Sequence, residues 1–276
     1  FSILSEKSLC DKDFPKKKQD CNFFTFFHTN YENHYIIFTF GLAFSSFWSI
    51  IETMKTLVNN LAFRRTYQGF FLLLMIAVPN VTLGMTTLYN NQTGLTFTSL
   101  ESWGIIAVNL IIFYISYLWA KSEGLFHSFS LNRKDIKAII WGFGIIFLMG
   151  LIGSNLMLLT HTSYHAELQK TLTTIPILPV AIGMMTTAFL QELLFRKWMF
   201  AWLTPYSTIA VLVSTSLFCL FHMPTNLAHL LLYIGMGLAF SLVYQKRKNL
   251  SVSITLHVLW NLYTLGATVL VMTTPM

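Results

Sequence analysis

Long apolar runs constrain this chain more than any other feature of its sequence. About eight of them occur, over residues 35–54, 69–88, 102–120, 138–159, 178–203, 207–223, 226–244 and 250–271. Each is close to the roughly 20 residues that an α-helix needs to cross the hydrocarbon core of a bilayer. Because backbone N–H and C=O groups find no water there, such runs must form helices that satisfy their own hydrogen bonds. The sequence therefore predicts an all-α polytopic membrane protein with about eight transmembrane helices.

The composition agrees with this class and argues against a nucleic-acid-binding protein. Hydrophobic residues make up 54% of the chain and charged residues only 11%, while the formal net charge is +7. Most of the lysines and arginines lie in short segments between the apolar runs, which is the distribution that orients a membrane protein. We therefore expect contact with the lipid bilayer and no nucleic-acid partner.

The domain organisation follows from the position of the first apolar run. Residues 1–34 form a polar, basic N-terminal tail that ends in a phenylalanine-rich stretch, and residues 35–276 form an eight-helix membrane domain. The first run is longer than the apolar region of a signal peptide, so it is interpreted as a retained span. Cys219 lies within an apolar run and is predicted to be a small core residue.

Basic residues predict the orientation of the bundle. They follow the first, third and seventh runs, at Lys55, Arg64, Arg65, Lys121, Arg133, Lys134, Lys137, Lys246, Arg247 and Lys248. The loop after the second run has no lysine or arginine, and the loop after the fourth has only Lys170. The positive-inside rule then places the basic loops in the cytoplasm and both termini outside. The lysines of the tail, including Lys16 to Lys18, would favour a cytoplasmic N-terminus instead, but they lie far from the first span.

The sequence lacks the motifs of several kinds of catalytic or nucleotide-binding site. No His-Glu-x-x-His sequence is present, and the pair His161 and His165, with Glu167 nearby, is interpreted as a solvated pair in an outer loop rather than a metal site. No Gly-rich phosphate loop or serine nucleophile elbow occurs either. An aspartyl dyad is not expected because every aspartate is predicted to lie outside the spans: Asp11, Asp13, Asp20 and Asp135. We therefore expect neither a metal nor a cofactor.

The polar residues within the spans are few, which makes them informative. Ionisable groups inside a bilayer are costly and usually face a bundle interior or a water-filled cavity. Glu52 is assigned to a helix-end pair with Lys55, and a packed core position is favoured for His229 over a cavity position. The remaining candidates for a functional site are Gln191, Glu192, Arg196, His222, His257 and Asn261.

Helical geometry predicts that these candidates meet. From the cytoplasmic ends of their spans, Gln191 lies about 18 Å deep and His222 about 22 Å deep, at roughly 1.5 Å per residue. His257 and Asn261, which share one helix face, lie about 11 and 17 Å deep. Each residue alone could be an isolated polar contact between helices. Together, on three spans, they favour a polar intramembrane cavity.

Three motifs contain the candidates: Gln191-Glu192-Leu193-Leu194-Phe195-Arg196, Phe218 to His222, and His257 to Asn261. Their order and spacing resemble the signature Glu-Glu-x-x-x-Arg, Phe-x-x-x-His and His-x-x-x-Asn of the CAAX protease and bacteriocin-processing family. This family is also called the Abi family of type II CAAX prenyl endopeptidases. The resemblance covers roughly residues 175–265, and the first four spans match only in hydrophobicity.

The resemblance implies a metal-independent glutamate protease within an eight-helix bundle. The first glutamate of the pair, together with His222, would activate a water molecule for attack on a peptide carbonyl. His257 and Asn261 would stabilise the oxyanion, and Glu192 and Arg196 would organise the site. The chemistry is sound, because a carboxylate near an imidazole can take a proton from water and fixed donors can stabilise the developing negative charge.

Gln191 departs from this pattern, because it occupies the position of the first glutamate. A carboxamide has no basic site near neutral pH and cannot act as a general base. Three explanations are open: an engineered substitution of glutamate, a natural pseudoprotease, or a role for Glu192 as the base.

The sequence thus predicts a protein of the intramembrane endopeptidase type that is inactive as written. Its substrate would be a membrane-associated peptide or a prenylated protein. The alternative is a catalytically dead homologue that regulates or scaffolds a partner membrane protein. A small-solute transporter would show symmetric halves with broken helices, and the sequence has no such symmetry. The expected location is a multi-pass position in the plasma membrane of a bacterium, or in the endoplasmic reticulum if the source is eukaryotic.

Overall fold

The computed structural model describes residues 61–93, 97–126, 129–160 and 166–274. Helices account for nearly all of these residues, and no strand occurs within the described ranges. The helices are α1 (Leu61–Thr93), α2 (Ser99–Ser122), α3 (Arg133–Thr160), α4 (Ala166–Thr174), α5 (Ile177–Glu192), a π-helix (Leu193–Trp198), α6 (Met199–Trp202), α7 (Ser207–Phe221), α8 (Leu227–Arg247) and α9 (Leu250–Thr273). The predicted tail, the first span, the pair Glu52 and Lys55, and the pair His161 and His165 lie outside the described residues.

Within the described residues, six helical segments are long and apolar enough to cross a membrane. They are Leu61–Met85, Ser99–Ser122, Arg133–Asn155, Ile177–Trp202, Leu227–Arg247 and Leu250–Thr273. The segment Ile177–Trp202 is continuous, although a π-helix interrupts its α-helical geometry. The prediction of an all-α, multi-pass integral membrane protein is confirmed.

Helix α7 is shorter than the sequence predicted. The apolar run 207–223 gives a helix of only 15 residues, Ser207–Phe221. At roughly 1.5 Å per residue it is about 22 Å long, which is less than the ~30 Å hydrocarbon core. It ends at His222, where the chain turns, and Met223 adopts a left-handed conformation with φ 45°. The prediction missed this end because the apolar run continues past it.

Other helix ends differ from the predicted boundaries for a similar reason. Helix α1 begins at Leu61 rather than residue 69, because the polar residues before the apolar run continue the helix. Helix α3 begins at Arg133 rather than residue 138. The short helix α4 was not predicted, because it has no apolar run to mark it.

Helix α8 is the central packing element. It contacts α3 most extensively, and it also packs against α7 and α9, while α5 packs against α2 and α9. Gly237 permits the close approach of α8 to α7, because a Cβ at this position would lie 3.2 Å from the Thr215 backbone. The buried side chains of Phe189, Phe218 and Phe240 belong to one hydrophobic cluster between these helices.

At the end of the bundle that carries the basic loops, Glu123 joins α1 to α2. Its carboxylate accepts hydrogen bonds from Gln68 at 2.8 Å, from Arg64 at 2.9 Å and from the Tyr67 hydroxyl. Burial alone would raise the pKa of Glu123, but these hydrogen bonds outweigh it and hold that pKa below its usual value. The carboxylate therefore stays ionised and fixes the two helix ends together.

Asp135 corrects a sequence-based expectation. It was predicted to lie outside the spans, but it is 1% exposed in the first turn of α3. Its Oδ1 lies 2.7 Å from the Nε of Arg247 at the end of α8, and Asn132 donates its backbone N–H to Oδ2. Asp135 is therefore the partner of a basic residue at the helix ends, and it joins α3 to α8.

The orientation of the bundle is testable by cysteine labelling in intact cells. In a background with Cys10 and Cys21 replaced by serine, Lys134→Cys should react with a membrane-impermeant maleimide only after permeabilisation, because the basic end is predicted to be cytoplasmic. Ser99→Cys, at the opposite end of α2, should react in intact cells. Cys219 is 3% exposed and should remain unlabelled. Reaction of Lys134→Cys in intact cells would invert the orientation.

Candidate functional site

A cavity of about 680 Å³ lies within the bundle. Residues from α1, α2, α4, α5, α7, α8 and α9 contribute to its lining, together with the chain that follows α7. Its apolar lining includes the side chains of Val81, Leu83 and Val180. The polar lining includes Gln191, His222, His257 and Asn261. Four of the six candidate residues thus share one cavity.

Gln191 is the candidate that faces the cavity from α5. It lies in the last turn of this helix and is 4% exposed. Its neighbour Glu192 does not line the cavity and is completely buried. Consecutive helical residues point about 100° apart. Of this pair, only Gln191 lines the cavity, and its side chain ends in an amide.

A π-helix follows immediately and sets the position of Arg196. The segment Leu193–Trp198 has the wider turn of i→i+5 hydrogen bonding, and the backbone N–H of Met199 donates to the carbonyl of Leu194. Single π-turns of this kind are frequent at functional sites. Ser214 on α7 donates a hydrogen bond of 2.6 Å to the Phe195 carbonyl, and Ser241 on α8 donates to Ser214 at 3.3 Å. Two neighbouring helices thereby support the irregular turn.

The carboxylate of Glu192 is the electrostatic centre of the site. Its Oε1 lies 3.1 Å from Nη1 of Arg196 and 2.9 Å from Nδ1 of His257. Both Glu192 and Arg196 are 0% exposed. The Arg196 contact is an ion pair without hydrogen-bond alignment, because Nη1 has no hydrogen-bond partner among the described residues. The second oxygen, Oε2, also lacks a partner within the described part of the chain.

Aromatic rings enclose the Arg196 guanidinium. Its Cζ lies 4.6 Å from the ring centroid of Phe218 and 5.1 Å from that of Phe240. Its Nη2 donates a hydrogen bond of 3.3 Å to the Gly237 carbonyl. Cation–π attraction is stronger in desolvated surroundings such as these. The rings and the carbonyl therefore replace part of the lost hydration and hold the arginine behind the cavity.

The hydrogen bonds of His222 determine which of its ring nitrogens can take a proton. Its Nδ1 lies 2.8 Å from the carbonyl oxygen of Phe218, which can only accept, so Nδ1 carries the hydrogen. In the neutral ring Nε2 is then an acceptor. The ring packs against Phe218 at 4.3 Å and Tyr233 at 4.7 Å. His222 therefore offers a positioned proton acceptor to the cavity.

His257 and Asn261 line the cavity from α9, one turn apart. His257 is 2% exposed and stacks on Phe240 at 4.5 Å, with its Nδ1 directed to Glu192. Asn261 donates one amide N–H to the Met184 carbonyl at 3.2 Å, which leaves a second amide hydrogen. If Nδ1 of His257 donates to Glu192, Nε2 becomes a donor only when the ring is fully protonated. The Glu192 carboxylate is well placed to stabilise that charged form.

His229 corrects another expectation, because a packed core position was favoured for it. It lines the cavity from the first turn of α8 and is half-buried. Its Nδ1 lies 2.9 Å from the Thr225 hydroxyl, and its backbone N–H donates to Asn226. Cys219, in contrast, is 3% exposed, so the prediction of a core cysteine is confirmed.

Several residues of the site could not be found from sequence motifs. Phe240 stacks on His257 and covers Arg196, while Gly237 supplies the carbonyl that Arg196 contacts. Ser214 and Ser241 support the π-helix. These contacts depend on how α8 packs against its neighbours, and only the presence of small residues on an apolar helix hinted at close approach.

Metal ligation finds no support in the described ranges, where no group of three or more His, Cys, Asp or Glu side chains is placed to hold an ion. The available charges are instead committed to one another, as in the contacts of Glu192 with Arg196 and His257.

Comparison with known proteins supports the resemblance drawn from the three motifs. Residues 173–263 match the family model for "Type II CAAX prenyl endopeptidase Rce1-like". The chain is also similar to UPF0177 protein YvdC of Lactococcus lactis subsp. lactis (strain IL1403), with 27% identity over 196 residues, which cover 69% of this chain and 74% of the relative. No solved structure matches.

The matched segment begins in the last turn of α4 and ends in α9, so it contains all three motifs and most of the cavity. The similarity to the Rce1-like family of type II CAAX prenyl endopeptidases therefore covers the segment that contains the candidate site.

Proposed function

We propose that this chain binds a membrane-associated peptide in its intramembrane cavity, as a CAAX-type endopeptidase does, but lacks the general base for hydrolysis. The observation that carries the proposal is the different placement of two neighbouring residues, Gln191 and Glu192. Gln191 lines the cavity, while the carboxylate of Glu192 is fully buried and held by Arg196 and His257. The position that would activate water therefore carries an amide.

Water activation in such a site needs a proton acceptor on the cavity surface. His222 supplies one through Nε2, because Nδ1 donates to Phe218. The partner carboxylate that would share the proton is missing at Gln191, and a carboxamide cannot replace it. Loss of a general base typically lowers a rate by about 10²–10⁴-fold. A slow residual reaction through His222 alone is the most that the chain should support.

Stabilisation of a tetrahedral oxyanion is assigned to His257 and Asn261. Both line the cavity from α9, and their donors can converge on one oxygen because the residues are one helical turn apart. Preorganised donors in a site of low dielectric are typically worth about 2.7–4 kcal/mol each in catalysis. Glu192 supports this role by fixing the orientation of the His257 ring.

Glu192 is a poor candidate for the base itself. It is 0% exposed and does not line the cavity. Its Oε1 already lies within 3.1 Å of Arg196 and 2.9 Å of His257. A general base must come within hydrogen-bond reach of the water that it activates. Glu192 and Arg196 are therefore assigned to organising the site.

The second candidate function is that of a non-catalytic regulator or scaffold for a partner membrane protein. Gln191 favours it, since an amide keeps the shape of glutamate and leaves the apolar lining of the cavity available for binding. The ligand in either case would be a peptide or a prenylated protein segment that reaches the cavity from the membrane. The lactococcal relative supports the plasma membrane of a bacterium as the location.

Restoring the carboxylate should restore hydrolysis. Gln191→Glu should raise peptide cleavage by about 10²–10⁴-fold over the unaltered chain, because it returns the general base to a site whose other groups are in place. The measurement is cleavage of prenylated and leader-type peptides by purified protein. The activity should withstand zinc chelators. His222→Ala in the Gln191→Glu background should abolish it, and His257→Ala or Asn261→Ala should lower it strongly.

Two results would contradict this assignment. If Gln191→Glu remains inert with every peptide but the protein still binds them, the scaffold function is favoured. If the unaltered chain already cleaves peptides and Glu192→Gln abolishes cleavage without unfolding the protein, then Glu192 is the base.

Arg196 should be needed for stability as well as for the site. Arg196→Ala leaves the buried Glu192 with only His257 as a partner, and the loss of one member of a buried pair typically costs about 3–5 kcal/mol. Thermal unfolding in detergent should therefore shift clearly downward. Lys197→Ala, which changes the next residue but removes no ion pair among those described, serves as the control. Equal shifts for the two variants would show that the pair contributes little.

A further inference from the structure

A second, smaller cavity of about 250 Å³ lies at the basic end of the bundle. It is formed where α6 turns into α7 and where α8 ends. Its polar lining includes Lys197, Lys248, Tyr244 and Ser207, and Phe200 forms part of the apolar lining. These residues, called here the lysine groove, lie apart from the candidate site, and none of them lines the larger cavity.

The two lysines of the groove differ from other basic residues at this end. Arg64 and Arg247 have carboxylate partners in Glu123 and Asp135. Lys197 is half-buried, and no ion pair in the described part of the chain involves Lys197 or Lys248. Two cations that share a concave site without an acidic neighbour favour an anion there.

The backbone conformation of Lys248 is unfavourable for a residue with a long side chain. Lys248 adopts a left-handed conformation, with φ 51° and ψ 23°, where it ends α8 and donates its N–H to the Tyr244 carbonyl. Glycine or asparagine fits such a helix end more easily, because a side chain is strained there. The Nζ of Lys248 lies 5.8 Å from the centroid of Phe200, which directs the ammonium over the groove.

Tyr244 supplies a hydroxyl group to the lining of the groove. Its side chain is only 7% exposed and packs edge-on against Phe200 at 5.0 Å. The hydroxyl belongs to a residue that lines the groove, so it can donate to a ligand held by the lysines. Ser207 adds the positive end of the α7 dipole.

The groove lies at the level where lipid headgroups are expected. Trp198 donates its indole N–H to the Arg65 carbonyl at 2.6 Å, and its ring lies 6.0 Å from that of Trp202. Tryptophans of this kind mark the membrane interface. Basic pockets between helices near the cytoplasmic face bind anionic headgroups, because that leaflet carries the anionic lipids.

We propose that the lysine groove binds the phosphate group of an anionic phospholipid. Lys197 and Lys248 would each contact a phosphate oxygen, and the Tyr244 hydroxyl would donate a hydrogen bond to another phosphate oxygen. The Phe200 ring would form the apolar part of the site. Such a site would fix the junction of α6 and α7 at the membrane surface, and it does not depend on any reaction in the larger cavity.

The test uses purified protein in a non-ionic detergent. Dihexanoylphosphatidylglycerol, dihexanoylphosphatidylcholine and inorganic phosphate are titrated separately, and binding is followed by native mass spectrometry and thermal shift. The anionic lipid should bind tighter than the zwitterionic lipid. The double variant Lys197→Gln and Lys248→Asn should weaken it by about 25-fold, or about fivefold for each basic residue removed. Asparagine suits the left-handed backbone at position 248, so this variant should fold.

Two further variants separate a built site from general surface charge. Lys134→Gln removes an exposed lysine at the same end but outside the groove, and it should leave binding unchanged. Tyr244→Phe should weaken binding several-fold, since it removes only the hydroxyl. Displacement of the anionic lipid by inorganic phosphate would support recognition of the phosphate group. If phosphate alone raised the thermal stability as much as the lipid does, free phosphate would be the ligand instead. Equal binding of the two lipids, or equal loss in Lys134→Gln and the double variant, would overturn the proposal.

Discussion

The arrangement of the site depends on one buried carboxylate, that of Glu192. A charge that is 0% exposed within an apolar bundle is tolerable only when other groups compensate it. Arg196 supplies the opposite charge and His257 supplies a ring nitrogen, so the end of α5, the π-helix and α9 are fixed relative to one another. Phe218 and Phe240 then fill the space around the guanidinium. The contacts of Glu192 with Arg196 and His257 therefore fix the helices that line the cavity.

The π-helix allows the buried contact between Glu192 and Arg196 to form within a continuous helical segment. Directly after Glu192 the wider turn resets the direction of the following side chains, and Arg196 still reaches back to the carboxylate. The cost is an irregular backbone within an apolar span, where unsatisfied polar groups are expensive. Ser214 meets part of this cost through its hydrogen bond to the Phe195 carbonyl. The irregular backbone therefore lies directly beside the candidate site.

How far the sequence could predict the structure depended on the range of each interaction. Apolar runs and residues spaced one turn apart, such as His257 and Asn261, report local geometry, so the helices and the polar cavity could be predicted. Contacts made by Phe240 with His257 depend on the packing of α8, and no local pattern encodes them. Asp135 was misassigned because an acidic residue beside a run of basic residues resembles a loop, whereas its partner Arg247 is distant in sequence.

The separation of Gln191 from Glu192 explains how binding and hydrolysis can become independent. The buried contacts of Glu192 with Arg196 and His257 do not involve position 191, so exchanging glutamate for glutamine there leaves the supporting charges unchanged. The amide has nearly the same volume as the carboxylate, and the cavity keeps its shape and its apolar lining. An uncharged group at 191 also avoids a second carboxylate beside Glu192, and like charges in a low dielectric repel strongly. Under the proposed function, a chain without the general base at position 191 would therefore keep the fold that forms the cavity.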